Sequence, residues 1–90
     1  MGKEIVLFKS EERKDLASVV AFLHQLADKL ASNQVILQQG SAEIVVDIPD
    51  NVILELKVEE EDKKGKVKRT FEVEIEWIEG DESGGAVTLV

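Results

Sequence analysis

The most regular stretch of the chain is Phe71-Glu72-Val73-Glu74-Ile75-Glu76-Trp77, which alternates apolar and acidic residues. A strict period of two predicts a β-strand with one face in a core and the other in water. The stretch ends on Trp77, the single tryptophan of the chain. Because Trp77 is in phase with the apolar residues, we expect it to close one end of the core. A ring at a strand end is also a candidate binding anchor.

Three shorter strands are predicted ahead of this one. They cover 35–38, 42–48 and 52–60, and the last strand covers 66–78. The turns between them are Gln39–Gly40, Pro49–Asn51 and Asp62–Gly65. Gly, Pro and Asn supply the backbone angles that tight turns need, so each connection is expected to be a hairpin.

These loop lengths fix which residues face each other across the sheet. The predicted pairs join apolar residues, for example Leu37 with Ala42, Val46 with Leu54, and Leu56 with Phe71. One buried face of a four-stranded antiparallel meander follows, carrying Val35, Leu37, Ala42, Ile44, Val46, Ile48, Val52, Leu54, Leu56, Val58, Phe71, Val73, Ile75 and Trp77. The same register places Glu55 opposite Glu72 on the solvent face, a like-charge pair that costs stability.

A single long helix is predicted before the strands, from Glu11 to Ala31. Ser10 is the expected N-cap, and Asn33 is the expected left-handed residue after the helix. Apolar residues recur at spacings of three and four along one stripe, which we expect to cover the sheet: Leu16, Val19, Val20, Leu23, Leu26, Ala27 and Leu30. The short apolar run Ile5–Phe8 is the expected N-terminal edge strand. The fold class is therefore α+β.

The predicted domain covers residues 1–79. Residues 80–90 are acidic and rich in glycine, and we expect a flexible tail there. Ala86–Val90 is apolar enough to form an edge strand instead.

Charge and composition exclude several classes of function. The net charge is −8, from 19 acidic and 11 basic residues. This field repels nucleic acid and anionic membranes, which bind to clustered Lys and Arg. There is no cysteine, so a disulfide framework and Cys-based metal or nucleophile sites are impossible. No apolar run approaches the roughly 18 residues of a membrane span. We expect a soluble cytoplasmic protein.

Catalytic and cofactor sites are not expected. His24 is the only histidine, so a zinc site or a catalytic triad lacks its partners. The runs Glu59–Asp62 and Asp81–Glu82 lack the spacing of a calcium-binding loop. Glu72 and Glu74 alternate on an exposed face, where no desolvation raises a carboxyl pKa for acid–base catalysis. The sequence therefore predicts no enzyme, no cofactor and no metal.

The order of elements resembles the amphi-Trp domain family. The residues that carry the resemblance are Phe8-Lys9-Ser10, Val20-Ala21-Phe22-Leu23, Leu26-Ala27, Pro49-Asp50, Leu54-Glu55 and Glu72–Trp77. They span roughly positions 3 to 77. The resemblance implies a compact prokaryotic domain with no assigned activity, and it supplies no catalytic residue.

Three hypotheses for the function follow. The favoured one is a non-enzymatic protein-interaction module that uses a sheet edge or the acidic face, with Trp77, Glu72, Glu74, Glu76 and Ile53 as candidate contacts. The second is an acidic decoy that imitates nucleic acid for a basic partner. The third is a small-molecule binder in a gap between helix and sheet near Trp77. In each case the chain is expected to be a monomer or a weak dimer through a sheet edge.

Overall fold

The computed structural model describes residues 2–80 and residue 89. One helix precedes four antiparallel strands: α1 (Leu16–Ala31), β1 (Gln34–Gln39), β2 (Ala42–Asp47), β3 (Ile53–Lys63) and β4 (Lys66–Glu76). The predicted α+β class is confirmed. Two compact units make up the chain, Met1–Asp50 and Asn51–Val90. The single domain over 1–79 stays a prediction. The expected tail and the alternative strand at Ala86–Val90 lie outside the described residues, except for Gly80 and Leu89.

The four strands form two hairpins, β1–β2 and β3–β4, each a two-stranded sheet. The predicted meander is therefore wrong at the β2–β3 connection. Asn33 binds the segment that follows β2. Its Nδ2 donates to the Ile48 carbonyl and to Asp50 Oδ1, both at 2.8 Å, and the Ile48 N–H donates to the Asn33 carbonyl. The chain after β2 is thus bound to the turn after α1. The predicted three-residue hairpin loop at Pro49–Asn51 is not formed, since β2 and β3 belong to different sheets.

Both hairpin turns are two-residue turns that lie further along the chain than predicted. Gln39 pairs with Ala42, and Gly40, at φ 59°, opens the turn. Lys63 pairs with Lys66, so Lys64 and Gly65 form the second turn. Their φ angles of 48° and 80° are those of a type I′ turn, which suits the twist of a hairpin.

These corrected turns move every cross-strand partner by two residues. Leu37 faces Ile44 where Ala42 was expected, and Leu56 faces Val73 where Phe71 was expected. Because side chains alternate with a period of two, the predicted faces are preserved even though the partners are wrong. The change matters most for Glu55, which faces Glu74 and not Glu72.

Helix α1 begins at Leu16, five positions later than predicted, and its N-cap is Asp15. The Asp15 carboxylate accepts the Ser18 N–H at 2.9 Å and so satisfies one free donor of the first turn. The predicted cap at Ser10 is therefore wrong, since the structure has Asp15 in this role. The helix ends as predicted, with Asn33 left-handed at φ 63°.

The predicted N-terminal strand is also wrong. Residues 5–8 join no ladder within the described chain, and Ile5, Val6 and Leu7 are exposed. A strand is stable only when a neighbour satisfies its backbone groups. Phe8 alone is half-buried.

The core lies in the 1–50 unit, where α1 packs against β1. Val35, at 7% exposure, is the one fully buried side chain among the described residues. Half-buried neighbours complete this core: Val19, Leu26, Leu30, Leu37, Ile44, Val46 and Ile48. The predicted burial of the β3–β4 residues is wrong. In the 51–90 unit, described by itself, these side chains are exposed: Leu54, Leu56, Val58, Phe71 and Val73.

Candidate functional site

The β3–β4 hairpin has different chemistry on its two faces, because successive strand residues point to opposite sides. The acidic face carries Ile53, Glu55, Lys57, Glu59, Glu72, Glu74 and Glu76. The apolar face carries Leu54, Leu56, Val58, Phe71, Val73 and Ile75. All of these residues are exposed except Ile75, which is half-buried. The hairpin, described by itself, thus presents one acidic and one apolar face.

Three glutamates meet on the acidic face, and we call them the glutamate trio: Glu55, Glu74 and Glu76. One carboxylate oxygen from each lies within 4.8 Å of the others. Glu55 and Glu74 are direct cross-strand partners, and Glu76 follows on the same side of β4. The charge of Glu55 raises the pKa of Glu74, and partial desolvation and Glu76 raise it further. The trio is thus a local concentration of negative charge on an exposed surface.

Lys57 neutralises a different part of this face. Its Nζ lies 2.7 Å from Glu59 Oε1 and 3.8 Å from Glu72 Oε2. The hydrogen bond and charge of Glu59 raise the pKa of Lys57, and Glu72 adds to the effect. Among the described residues, no salt bridge reaches the trio. The trio is therefore the part of the face without a direct ion pair, although the charge of Glu55 also contributes to the raised pKa of Lys57.

The predicted contact residues fall into separate groups. Glu74 and Glu76 belong to the trio, whereas Glu72 pairs with Lys57. Ile53 is 64% exposed and lies directly opposite Glu76, so it is an apolar contact beside the trio. Glu55 was missed as a site residue, because the predicted register placed it opposite Glu72. A two-residue turn that ends on Gly65 would have given the correct register, because glycine suits the positive φ of such a turn.

The acidic run Glu59–Asp62 is largely paired within the hairpin. Glu60 Oε1 accepts the Arg69 Nε–H at 3.0 Å, and Glu61 lies 3.6 Å from Lys63 Nζ. These carboxylates already have cationic partners, so they are poor ligands for a metal ion. Carboxylate oxygens that could hold a hard cation such as Ca²⁺ meet in the trio, where all three side chains are exposed.

Trp77 follows directly after the last residue of β4 and is half-buried. Its indole Nε1 donates to Glu79 Oε2 at 3.1 Å. The alternating stretch thus ends on a tryptophan whose indole N–H is hydrogen-bonded and whose ring is partly exposed to solvent. This strand, with its helix and hairpins, matches the sequence model of the amphi-Trp domain over residues 1–89. The chain belongs to the amphi-Trp domain family. No curated protein and no solved structure is a match for it.

The amphi-Trp domain has a cleft in its 1–50 unit, and the residues that line it do not include Trp77, where a ligand gap was predicted. Its volume is about 540 Å³. The cleft is lined by apolar residues, Phe8, Val19, Phe22 and Leu37, and by polar ones, Ser10, Glu11, Glu12, Lys14, Gln38 and Gln39. Two of these polar residues form an ion pair with each other, since Lys14 Nζ lies 3.2 Å from Glu12 Oε1.

The described part of the amphi-Trp domain, 2–80, contains no helix that is long and apolar enough to cross a membrane. The raised pKa of Glu74 has the direction that a general acid needs, but its carboxyl lies on an open surface. General acids usually act in water-excluded sites. The absence of enzymatic activity stays a prediction.

Proposed function

We propose that this amphi-Trp domain is a non-enzymatic protein-interaction module whose acidic face binds a basic segment of a partner protein. The glutamate trio is the observation that supports the proposal. Three like charges within 4.8 Å of one another repel, and the described chain supplies no salt bridge to them. Charge complementarity across an interface is a main source of partner specificity.

A Lys or Arg side chain of a partner would relieve this repulsion. It would sit between the carboxylates of Glu55, Glu74 and Glu76, where an arginine fork can contact two carboxylates. Ile53 beside Glu76 offers an apolar contact for the residue next to that cation. The proposed recognition element is therefore a basic residue followed or preceded by an apolar one.

The cytoplasm is the compartment that we propose for this module, because a chain without cysteine makes no use of an oxidising environment. The acidic-decoy hypothesis differs in the source of affinity, which would be charge alone. Salt separates the two ideas, since ions screen exposed charge pairs and leave apolar contacts intact.

Binding of a panel of synthetic peptides tests the proposal. The peptides carry Lys or Arg with or without an adjacent Leu, and their dissociation constants are measured by fluorescence anisotropy. The test variant neutralises the trio, E55Q/E74Q/E76Q. The control, E4Q/D28N/E43Q, makes the same change in net charge at exposed positions of the 1–50 unit.

We expect the trio variant to weaken binding by about tenfold or more, and the control by much less. Binding at about 1 M salt should weaken but persist for peptides with Leu, and I53S should remove that remainder. Equal losses in the two variants would refute the trio as the binding surface. Complete loss of binding at high salt for every peptide would favour the decoy.

A further inference from the structure

The side of the hairpin that carries the acidic face changes sign towards the β3–β4 turn. Beyond the acidic face, the next cross-strand pairs on this side are Glu61 with Lys68 and Lys63 with Lys66. We call Lys63, Lys66 and Lys68 the lysine end. One side of the hairpin therefore carries the glutamate trio near the start of β3 and an excess of positive charge beside the turn.

Both ends of this side place like charges directly opposite one another. Glu55 faces Glu74 in the trio, and Lys63 faces Lys66 at the lysine end. Such pairs cost a hairpin stability. Lys63 Nζ lies 3.6 Å from Glu61 Oε1, and no salt bridge between described residues reaches the other two lysines. Each end would thus be stabilised by an opposite charge that the described salt bridges do not supply.

The charged residues also make this side of the hairpin suited to a charged ligand. Every position of the ladder that points to this side carries a charged residue, except Ile53 and Thr70. Removing so many incompletely paired charges from water costs more than an apolar contact returns. A ligand for this side therefore has to bring complementary charges of its own.

Strand geometry sets the distance between the two ends. Glu74 lies eight positions after Lys66 in β4, and Lys68 lies between them. A strand rises about 3.3 Å per residue, so about 26 Å separates Glu74 from Lys66. An extended peptide has the same rise, and its side chains alternate with a period of two. Two of its residues can reach the two ends together only when they lie an even number of positions apart.

We propose, on the basis of the function proposed for the acidic face, that the partner segment is an extended peptide with two opposite charges. Its basic residue binds the glutamate trio, and an acidic residue six or eight positions away binds the lysine end. The two contacts are linked, so the second forms at a high effective concentration. The lysine end repels a segment that is basic throughout, and repulsion of wrong partners is a source of specificity.

Peptide binding to the full chain tests this proposal. The peptides share one neutral sequence that carries an Arg–Leu pair, with Glu, Gln or Lys eight positions after the arginine, or with Glu seven positions after it. Dissociation constants are measured by fluorescence anisotropy at about 0.05 M salt, where screening is weak. We expect Glu at the eighth position to bind about threefold or more tighter than Gln there or Glu at the seventh, and Lys to bind the weakest.

Variants of the lysine end assign this preference to a surface. K66Q/K68Q should abolish the preference for Glu over Gln, and K66E/K68E should reverse it in favour of Lys. The control K3Q/K9Q makes the same change in net charge as K66Q/K68Q at exposed positions of the 1–50 unit, and it should keep the preference.

The outcomes separate this proposal from the function on which it rests. Equal binding of the Glu and Gln peptides, equal binding of Glu at the seventh and eighth positions, or a preference that K66Q/K68Q leaves unchanged would overturn the two-charge segment. Each of these results is compatible with a trio that binds the basic residue alone. Failure of every peptide to bind would overturn both proposals.

Discussion

Replacing Trp77 with alanine should destabilise the fold by about 1.5–2.5 kcal/mol. Removal of a fully buried tryptophan or phenylalanine costs about 3–5 kcal/mol, through lost transfer energy and the cavity that remains. Trp77 is half-buried, so roughly half of that cost applies. Its hydrogen bond to Glu79 is at an exposed site and adds little, since water replaces it. Urea unfolding followed by circular dichroism measures the change, because the variant has no tryptophan fluorescence.

The variant W77F separates the ring from its N–H. It keeps most of the packing area and removes the donor to Glu79, so we expect a loss below about 1 kcal/mol. A loss above about 3 kcal/mol for W77A would mean that the ring is fully buried, contrary to the structure. A loss below about 0.5 kcal/mol would mean that Trp77 contributes contact surface only.

Two further predictions concern the ends of α1. D15A should lower the melting temperature by about 4–8 °C, because the helix loses its N-cap, whereas S10A should leave it unchanged. Hydrogen bonds from Ser18 lower the pKa of Asp15, so this stabilisation is complete above the ordinary aspartate pKa and is lost as the pH falls through the lowered one. Thermal melts of the wild type and of both variants, at pH 7 and at a pH below the lowered Asp15 pKa, measure the cap and its pH dependence. Equal effects of D15A and S10A at pH 7 would contradict the assigned cap. N33G keeps the left-handed backbone but removes the bonds to Ile48 and Asp50, so chemical denaturation should show a loss of about 1 kcal/mol, and no loss would show that these bonds do not hold the turn.

The alternation of apolar and polar residues predicts the strands and the two faces of each hairpin. The period of two in 71–77 identifies both the strand and its acidic side, and that side is open in the structure as expected. Errors in both turns left the faces intact, because each moved the register by two residues and not by one. The left-handed Asn33 followed from its position after the helix.

The remaining errors come from long-range contacts that a local pattern does not contain. Asn33 binds Ile48 and Asp50, 15 and 17 residues away, and so ties the segment after β2 to the turn after α1. The trio needs the correct partner for Glu55, which depends on a turn of two residues at Lys64–Gly65. Burial of β3 and β4 was inferred from a pairing with β2 that does not form.

The pKa of Glu74 tests the central claim most directly, since the trio exists only if β3 and β4 pair with Glu55 opposite Glu74. Carbon-detected NMR titration of the side-chain carboxyls gives this value residue by residue. We expect Glu74 to titrate above the ordinary glutamate pKa in the wild type, and its pKa to fall towards that value in E55Q, because Glu55 is the largest cause of the shift. The matched variant E43Q should leave Glu74 unchanged. An ordinary pKa for Glu74 in the wild type, or a raised pKa that E55Q does not lower, would contradict the register and the binding surface built on it.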